Sequence, residues 1–192
     1  MSNEVRGREQ FQKFKPIINI LVNFCSVLPE KTRMWLFQHF RMTTGKKGLV
    51  IRYVLLKTLA KSCGDNVSIH PSVFLFKLNN LSIGNNVSIH PMCYIDATGE
   101  IEIRDDVSIA HGVTILSTTH TFSETLVPIK NQKTQIKKTT IQSNVWIGAK
   151  VTILYGNRIG EGSIIGANSV VTKNIESNTI CAGIPAKVIK KR

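Results

Sequence analysis

Five histidines are the side chains of this 192-residue sequence best suited to moving protons near neutral pH. His120 stands apart from the others. It lies near the start of a polar stretch, residues 116–140, that interrupts an otherwise regular pattern. An imidazole there can take the proton of a hydroxyl, and general-base help of this kind is worth about 10²- to 10⁴-fold. The alternative is a surface histidine in a polar loop. His70 and His90 fall at one position of a repeat and should stack on each other; with His39 they read as structural or surface residues. His111 takes the place that Pro71 and Pro91 hold in earlier repeats, so it either lines a site or turns a corner. His111 and His120 have no Cys or acid at recognisable ligand spacing, so no metal is expected. The four cysteines, at 25, 63, 93 and 181, form no CxxC pair, which argues against a disulfide scaffold or a structural zinc site.

The element that must position His120 is legible as a period. From Gly64 onward a branched aliphatic residue recurs every six positions: Ile69 and Leu75; Ile83, Ile89 and Ile95; Ile103, Ile109 and Ile115; then Ile141, Ile147, Ile153, Ile159, Ile165 and Val171. Two-residue insertions separate Leu75 from Ile83 and Ile95 from Ile103. A small or apolar residue precedes many of these by two, as at Val67, Val87, Cys93 and Val107, and turn formers such as GDN, GNN and RDD lie between. Period six fits neither a helix nor a flat sheet. It fits short straight faces joined by tight corners, three faces closing a coil of about eighteen residues. Gly, Asn and Asp tolerate the corner conformations. Counting faces from Ile69 starts coils near 69, 89, 109, 147 and 165, so Ile109 and Ile147 should share a face on successive coils.

Residues 1–62 have a different texture. They carry twelve Lys/Arg against three acids, most of the chain's net charge of +13. Residues 1–15 read as a loose leader and 16–62 as helical, with a break at Thr43–Gly48. Arg33, Arg41, Lys46, Lys47, Arg52, Lys57 and Lys61 run along the helical part, which either caps the open first coil or rests on a membrane surface. The apolar run Ile17–Leu28 is about twelve residues, short of the roughly 20 needed to span a bilayer. The polar start to Lys15 does not read as a signal peptide. No nucleic-acid motif and no GxGxxG or GxxxxGK element accompanies the charge, so nucleic-acid binding and those nucleotide folds are not expected. The expected organisation is a leader and helical segment over 1–62 and a solenoid over 63–192 with its loop at 116–140.

The stretches IAHGVTILSTTHTF, NVWIGAKVTILYGNRIGEGSIIGANSVVTKNI and CAGIPAKVIKKR resemble the hexapeptide-repeat O-acetyltransferases, and IRYVLLKTLAKSCGDNVSI resembles their polysaccharide branch more than the short sugar-acetylating branch. The resemblance covers about residues 50–192. It implies an all-β solenoid, a left-handed parallel β-helix, although parallel crossovers are usually right-handed. It implies an acetyl-CoA-dependent O-acetyltransferase acting on a sugar or surface polysaccharide, with His120 as general base and Asp96 the nearest candidate for an acid that orients it. Asp96 also reads as a corner aspartate making a local turn bond. His111 replaces a proline common at this place in relatives, which leaves room for a role in acceptor binding, or for none.

By the same resemblance the coenzyme lies between subunits of a homotrimer, along Trp146, Gly148, Ala149, Gly166, Ala167 and the segment containing Pro185 and Lys187. Lys150, Lys173 and Lys187 are candidate phosphate partners, although each taken singly reads first as a solvated lysine. Trp146 interrupts a column of serines, Ser68, Ser88 and Ser108, and either walls the groove or packs on a neighbouring subunit. The expected location is cytoplasmic, with peripheral contact at the inner face of a membrane as an option. N-acetylation of an amino sugar or serine, and a non-enzymatic assembly role, remain as competing readings.

Overall fold

The computed structural model describes residues 7–192. From Ser62 the chain winds as a three-faced β-solenoid in which each short strand lies parallel on its counterpart from the previous coil. The first face stacks Ser62–Cys63, Leu81–Ile83, Ile101–Ile103, Thr139–Ile141 and Arg158–Ile159. The second stacks Ser68–Ile69, Ser88–Ile89, Ser108–Ile109, Trp146–Ile147, Ile164–Ile165 and Thr179–Ala182, with Lys187–Lys191 folded back antiparallel at its end. The third stacks Phe74–Phe76, Tyr94–Asp96, Thr114–Leu116, Thr152–Ile153 and Val170–Val171.

The period is the cause. Ile69, Ile89, Ile109, Ile147, Ile165 and Cys181 form one continuous inward column, each completely buried. Burying one such isoleucine contributes about 1.5–3 kcal/mol. Backbone bonds between coils, such as Ser68 N to Val87 O at 2.9 Å, leave few orphaned polar groups. The turn formers also have a reason. Asn66, Asn86, Asp106 and Asn144 all adopt left-handed backbone angles at the same corner. Asn66 donates to Asn86 and Asn86 to Asp106, a side-chain ladder up that edge.

Three helices precede the solenoid: α1 (Gly7–Ser26), α2 (Glu30–His39) and α3 (Gly45–Leu59). The expected loose leader to residue 15 is corrected, because α1 begins at Gly7; residues 1–6 lie outside the described range. Phe11 meets Tyr53 edge-on at 5.4 Å and Lys15 pairs with Asp65 at 2.5 Å, which ties that first half down. α3 packs on the first coil through Leu56 and Leu59, and Tyr53 Oη donates to Gly64 O at 3.0 Å. The break between α2 and α3 falls at Thr43–Thr44, and the following GKKG opens α3.

Five of the seven basic residues that run along the helical part are engaged with the protein itself. Arg52 is buried, Arg33 donates to Thr58 O, Arg41 lies over the Phe74 ring, Lys57 pairs with Asp65 and Lys61 with Glu100. Among the described residues no helix is long and apolar enough to cross a membrane.

His70 and His90 do stack, at 4.7 Å between rings. Burial lowers the pKa of His70, helped by His90 and by Arg52. The unfolded chain therefore takes up a proton that folded His70 resists. Stability is full above the ordinary histidine range, near 6.5, and falls as pH drops below it. The expected result is a thermal midpoint that declines on acidification from about pH 8 to 5, with a shallower decline in His70→Gln, measured by circular dichroism.

Candidate active site

The long break in the repeat is a built hairpin. Thr118–His120 pairs antiparallel with Thr134–Ile136, placing His120 opposite Thr134. Its root is pinned by buried Ser117, whose Oγ donates to Asp96 O at 2.6 Å and accepts from Gly99 N at 2.8 Å. On the returning side Thr139 Oγ1 donates to Leu116 O at 2.7 Å and accepts from Gly156 N at 2.9 Å. The tip is closed by Gln132, which is buried inside the loop and donates to Glu124 O and Val127 O. Tyr155 Oη reaches up to Gln135 at 2.8 Å. His120 is thus carried on a fixed arm with its side chain exposed. An exposed imidazole with its backbone in a ladder is free to meet a substrate hydroxyl.

Asp96 sits at the hairpin's base, its Cα paired with Leu116. One carboxylate oxygen accepts from Thr98 N and Thr98 Oγ1, at 3.0 and 2.6 Å; the other accepts from Thr118 Oγ1 at 3.3 Å. The local turn bond is therefore present. The carboxylate also holds Thr118, two residues before His120.

The residues expected to hold a coenzyme gather elsewhere. Gly148, Ala149 and Lys150, and above them Gly166 and Ala167, turn the corners between the second and third faces. His111 turns the corner one coil below, and its carbonyl accepts from Lys150 N at 2.9 Å. Trp146 projects from the adjoining second face, 54% exposed, between Ser108 and Ile164. The segment containing Pro185 closes the top of the same edge, with Ala186 N on Val170 O at 2.8 Å, and leads to Lys187. His120 leaves from the other side of the third face, at the edge leading back to the first. Lys173 is on that edge too, beside Lys137 and Tyr155 in a shallow pocket. Within one chain the third face separates His120 from Trp146 and Gly148.

Coil stacking dictates small residues at these corners. A Cβ on Gly148 would stand 2.7 Å from Ala167 N, and one on Gly166 would stand 2.8 Å from the Ala182 Cβ. The glycines are needed by the solenoid, and they also leave that edge low.

Residues 138–173 match the family model described as bacterial transferase hexapeptide (six repeats). The galactoside O-acetyltransferase of Escherichia coli (strain K12) is 34% identical over 177 residues, 90% of this chain and 84% of that protein. The chain belongs to the hexapeptide-repeat acetyltransferases. Solved structures agree with that placement. A galactoside acetyltransferase in complex with coenzyme A superposes with a TM-score of 0.75 at 32% identity, covering 84% of this chain and 80% of the other. A maltose O-acetyltransferase from Clostridium difficile 630 gives 0.72 at 29%, covering 84% and 85%. As a hexapeptide-repeat acetyltransferase, the protein is an acyltransferase enzyme.

Sequence reasoning found the break that carries His120 and missed what makes it rigid. Ser117, Thr118, Gln132 and Thr139 carry no motif. Only the position of Ser117 and Thr139 at the two ends of the break marks them. Among the described residues no three His, Cys, Asp or Glu side chains gather as metal ligands would.

Proposed function

We propose that this acetyltransferase moves the acetyl group of acetyl-CoA to a hydroxyl of a sugar or surface polysaccharide, with His120 as general base. The observation that carries the reading is the pinned hairpin that presents an exposed His120. His120 takes the hydroxyl proton as the oxygen attacks the thioester carbonyl. The C–O bond forms, the C–S bond breaks, and the thiolate leaves to collect a proton. Asp96 acts as a positioning residue through Thr118.

The separation of His120 from Trp146 and Gly148 supports a site completed between subunits. A head-to-tail ring sets one edge of each protomer against the opposite edge of the next, and a ring of three closes it. The His120 arm of one subunit then meets the low corner of its neighbour. Phe122, Leu126 and Ile129 on that arm are exposed, Leu126 at 97%, and are the apolar surface a neighbour would cover. Lys150 and Lys187 stand on the corner side and Lys173 on the arm side, so the coenzyme phosphates would draw on both subunits. We assign to His111, which turns the corner one coil below Lys150, a part in acceptor binding across the subunit boundary.

Thiol release from acetyl-CoA, measured against mono- and oligosaccharides, an amino sugar and serine, tests the acceptor class. Turnover with hydroxyl sugars is the expected result. Turnover restricted to an amine would replace the reading by N-acetylation, and coenzyme binding without any turnover would remove it. Sedimentation should give a trimer. Trp146→Ala is expected to raise the KM for acetyl-CoA about tenfold with little change in kcat, the size of one aromatic contact.

A further inference from the structure

The apolar residues of α1 exceed what its packing uses. Phe11, Ile18, Val22 and Cys25 face the rest of the protein. Phe14, Ile17, Ile20, Leu21 and Phe24 do not, and Ile20 and Phe24 are 67% and 68% exposed; Val27, in the turn just after the helix, is 79% exposed. At 100° per residue these five fall in a sector of about 120°, a continuous stripe some 15 Å long. At Phe14 the stripe runs into an open, mainly apolar groove of about 990 Å³, walled by α1, α3 and the first two coils. The stripe is larger than the scattered apolar residues of an ordinary surface.

Charge says what covers it. Arg8, Lys46 and Lys47 stand around the groove beside Phe14, Lys13 lies within the stripe's sector, and Lys31 follows Val27 at the start of α2. Glu9 and Glu30 are the acids of these first two helices. A second copy paired through the same stripe would bring two such cationic surfaces face to face, and a head-to-tail ring closed by the His120 arm and the Gly148 corner uses other edges of the solenoid. An anionic bilayer would accept the apolar stripe among its acyl chains and the lysines among its phosphates.

We propose that α1 is an interfacial anchor that lies flat on an anionic phospholipid bilayer, with Ile17, Leu21 and Phe24 inserted and Arg8, Lys13, Lys31, Lys46 and Lys47 at the headgroups. It holds the enzyme at the membrane face while the solenoid stands clear. The proposal stands apart from the acetyl-transfer chemistry, which neither needs it nor is tested by it.

Co-sedimentation of the full chain with vesicles of phosphatidylcholine alone, and of phosphatidylcholine with phosphatidylglycerol, decides it. The protein should pellet with the mixed vesicles and release as salt rises. Ile17→Asn/Leu21→Asn/Phe24→Asn changes only exposed or outward side chains and should lower partitioning at least about tenfold. Lys46→Gln/Lys47→Gln leaves α1 intact and should cost about fivefold per cation on anionic vesicles alone. Thiol release in the absence of vesicles should match wild type in both. Failure of the wild type to bind mixed vesicles overturns the proposal, as does equal binding by the triple variant. A triple variant of lower molar mass by light scattering, from a wild type that ignores vesicles, would assign the stripe to a second copy and overturn it too.

Discussion

His120→Ala is expected to lower kcat for acetyl transfer by about 10²- to 10⁴-fold while leaving the KM for acetyl-CoA and the thermal midpoint near wild type. The split follows from how the residue is held. The His120 side chain is exposed, and the hairpin that carries it is fixed by Ser117, Thr139, Gln132 and the ladder to Thr134, none of which uses the imidazole. Truncation therefore removes the base and spares its arm. Asp96→Asn gives the graded counterpart. It keeps the volume and weakens the hold on Thr118, so kcat should fall by about tenfold with the coenzyme KM unchanged. A purely structural Asp96 would lower the thermal midpoint and leave kcat per folded enzyme where it was. If His120→Ala turns over at the wild-type rate, general-base catalysis by this residue is wrong, however well the hairpin is built.

The solenoid was legible because one local rule repeats. A six-residue count placed Ile147 over Ile109, and the register holds even though residues 117–138 intervene. It holds because the hairpin leaves and returns at one edge, so Thr139 resumes on the strand beginning at Ile101. The same count contains the division of the proposed site: His120 follows a third-face strand, whereas Trp146 belongs to a second-face strand. The hairpin's interior was not legible. Thr118–His120 and Thr134–Ile136 have no alternation of apolar and polar residues, because neither strand covers a core. The helices were legible as a cap on the first coil, but the part their basic residues play was not. A run of Lys and Arg reads as a solvated face by default, yet the carbonyls where the chain enters the first coil need donors, and basic side chains supply them. Period reports where apolar side chains go and is silent about which polar ones follow them inward.

Arg52 is the sharpest case, and its replacement carries the largest expected loss of stability. Its side chain is buried; Nε donates to Ile69 O at 2.7 Å, and Nη1 to Thr43 O at 2.6 Å and Phe40 O at 3.0 Å. It therefore ties the end of α2, the start of α3 and the first coil of the solenoid to one point. Arg52→Met fills similar space and orphans those carbonyls, each worth about 1–3 kcal/mol when buried without a donor. Part of that is returned. Burial lowers the Arg52 pKa, Nη2 is buried without a partner, and methionine avoids that desolvation. The expected net loss is about 3 kcal/mol, read from urea unfolding of the two proteins. Arg52→Lys should recover only part, since one ammonium cannot reach carbonyls on both sides of the joint. A loss below about 0.5 kcal/mol would mean that apolar packing of Leu56 and Leu59 alone holds the helices on the coil. The two variants should also separate the joint from the chemistry: acetyl transfer per folded molecule stays near wild type, because His120 stands two coils away from Ile69 along the solenoid.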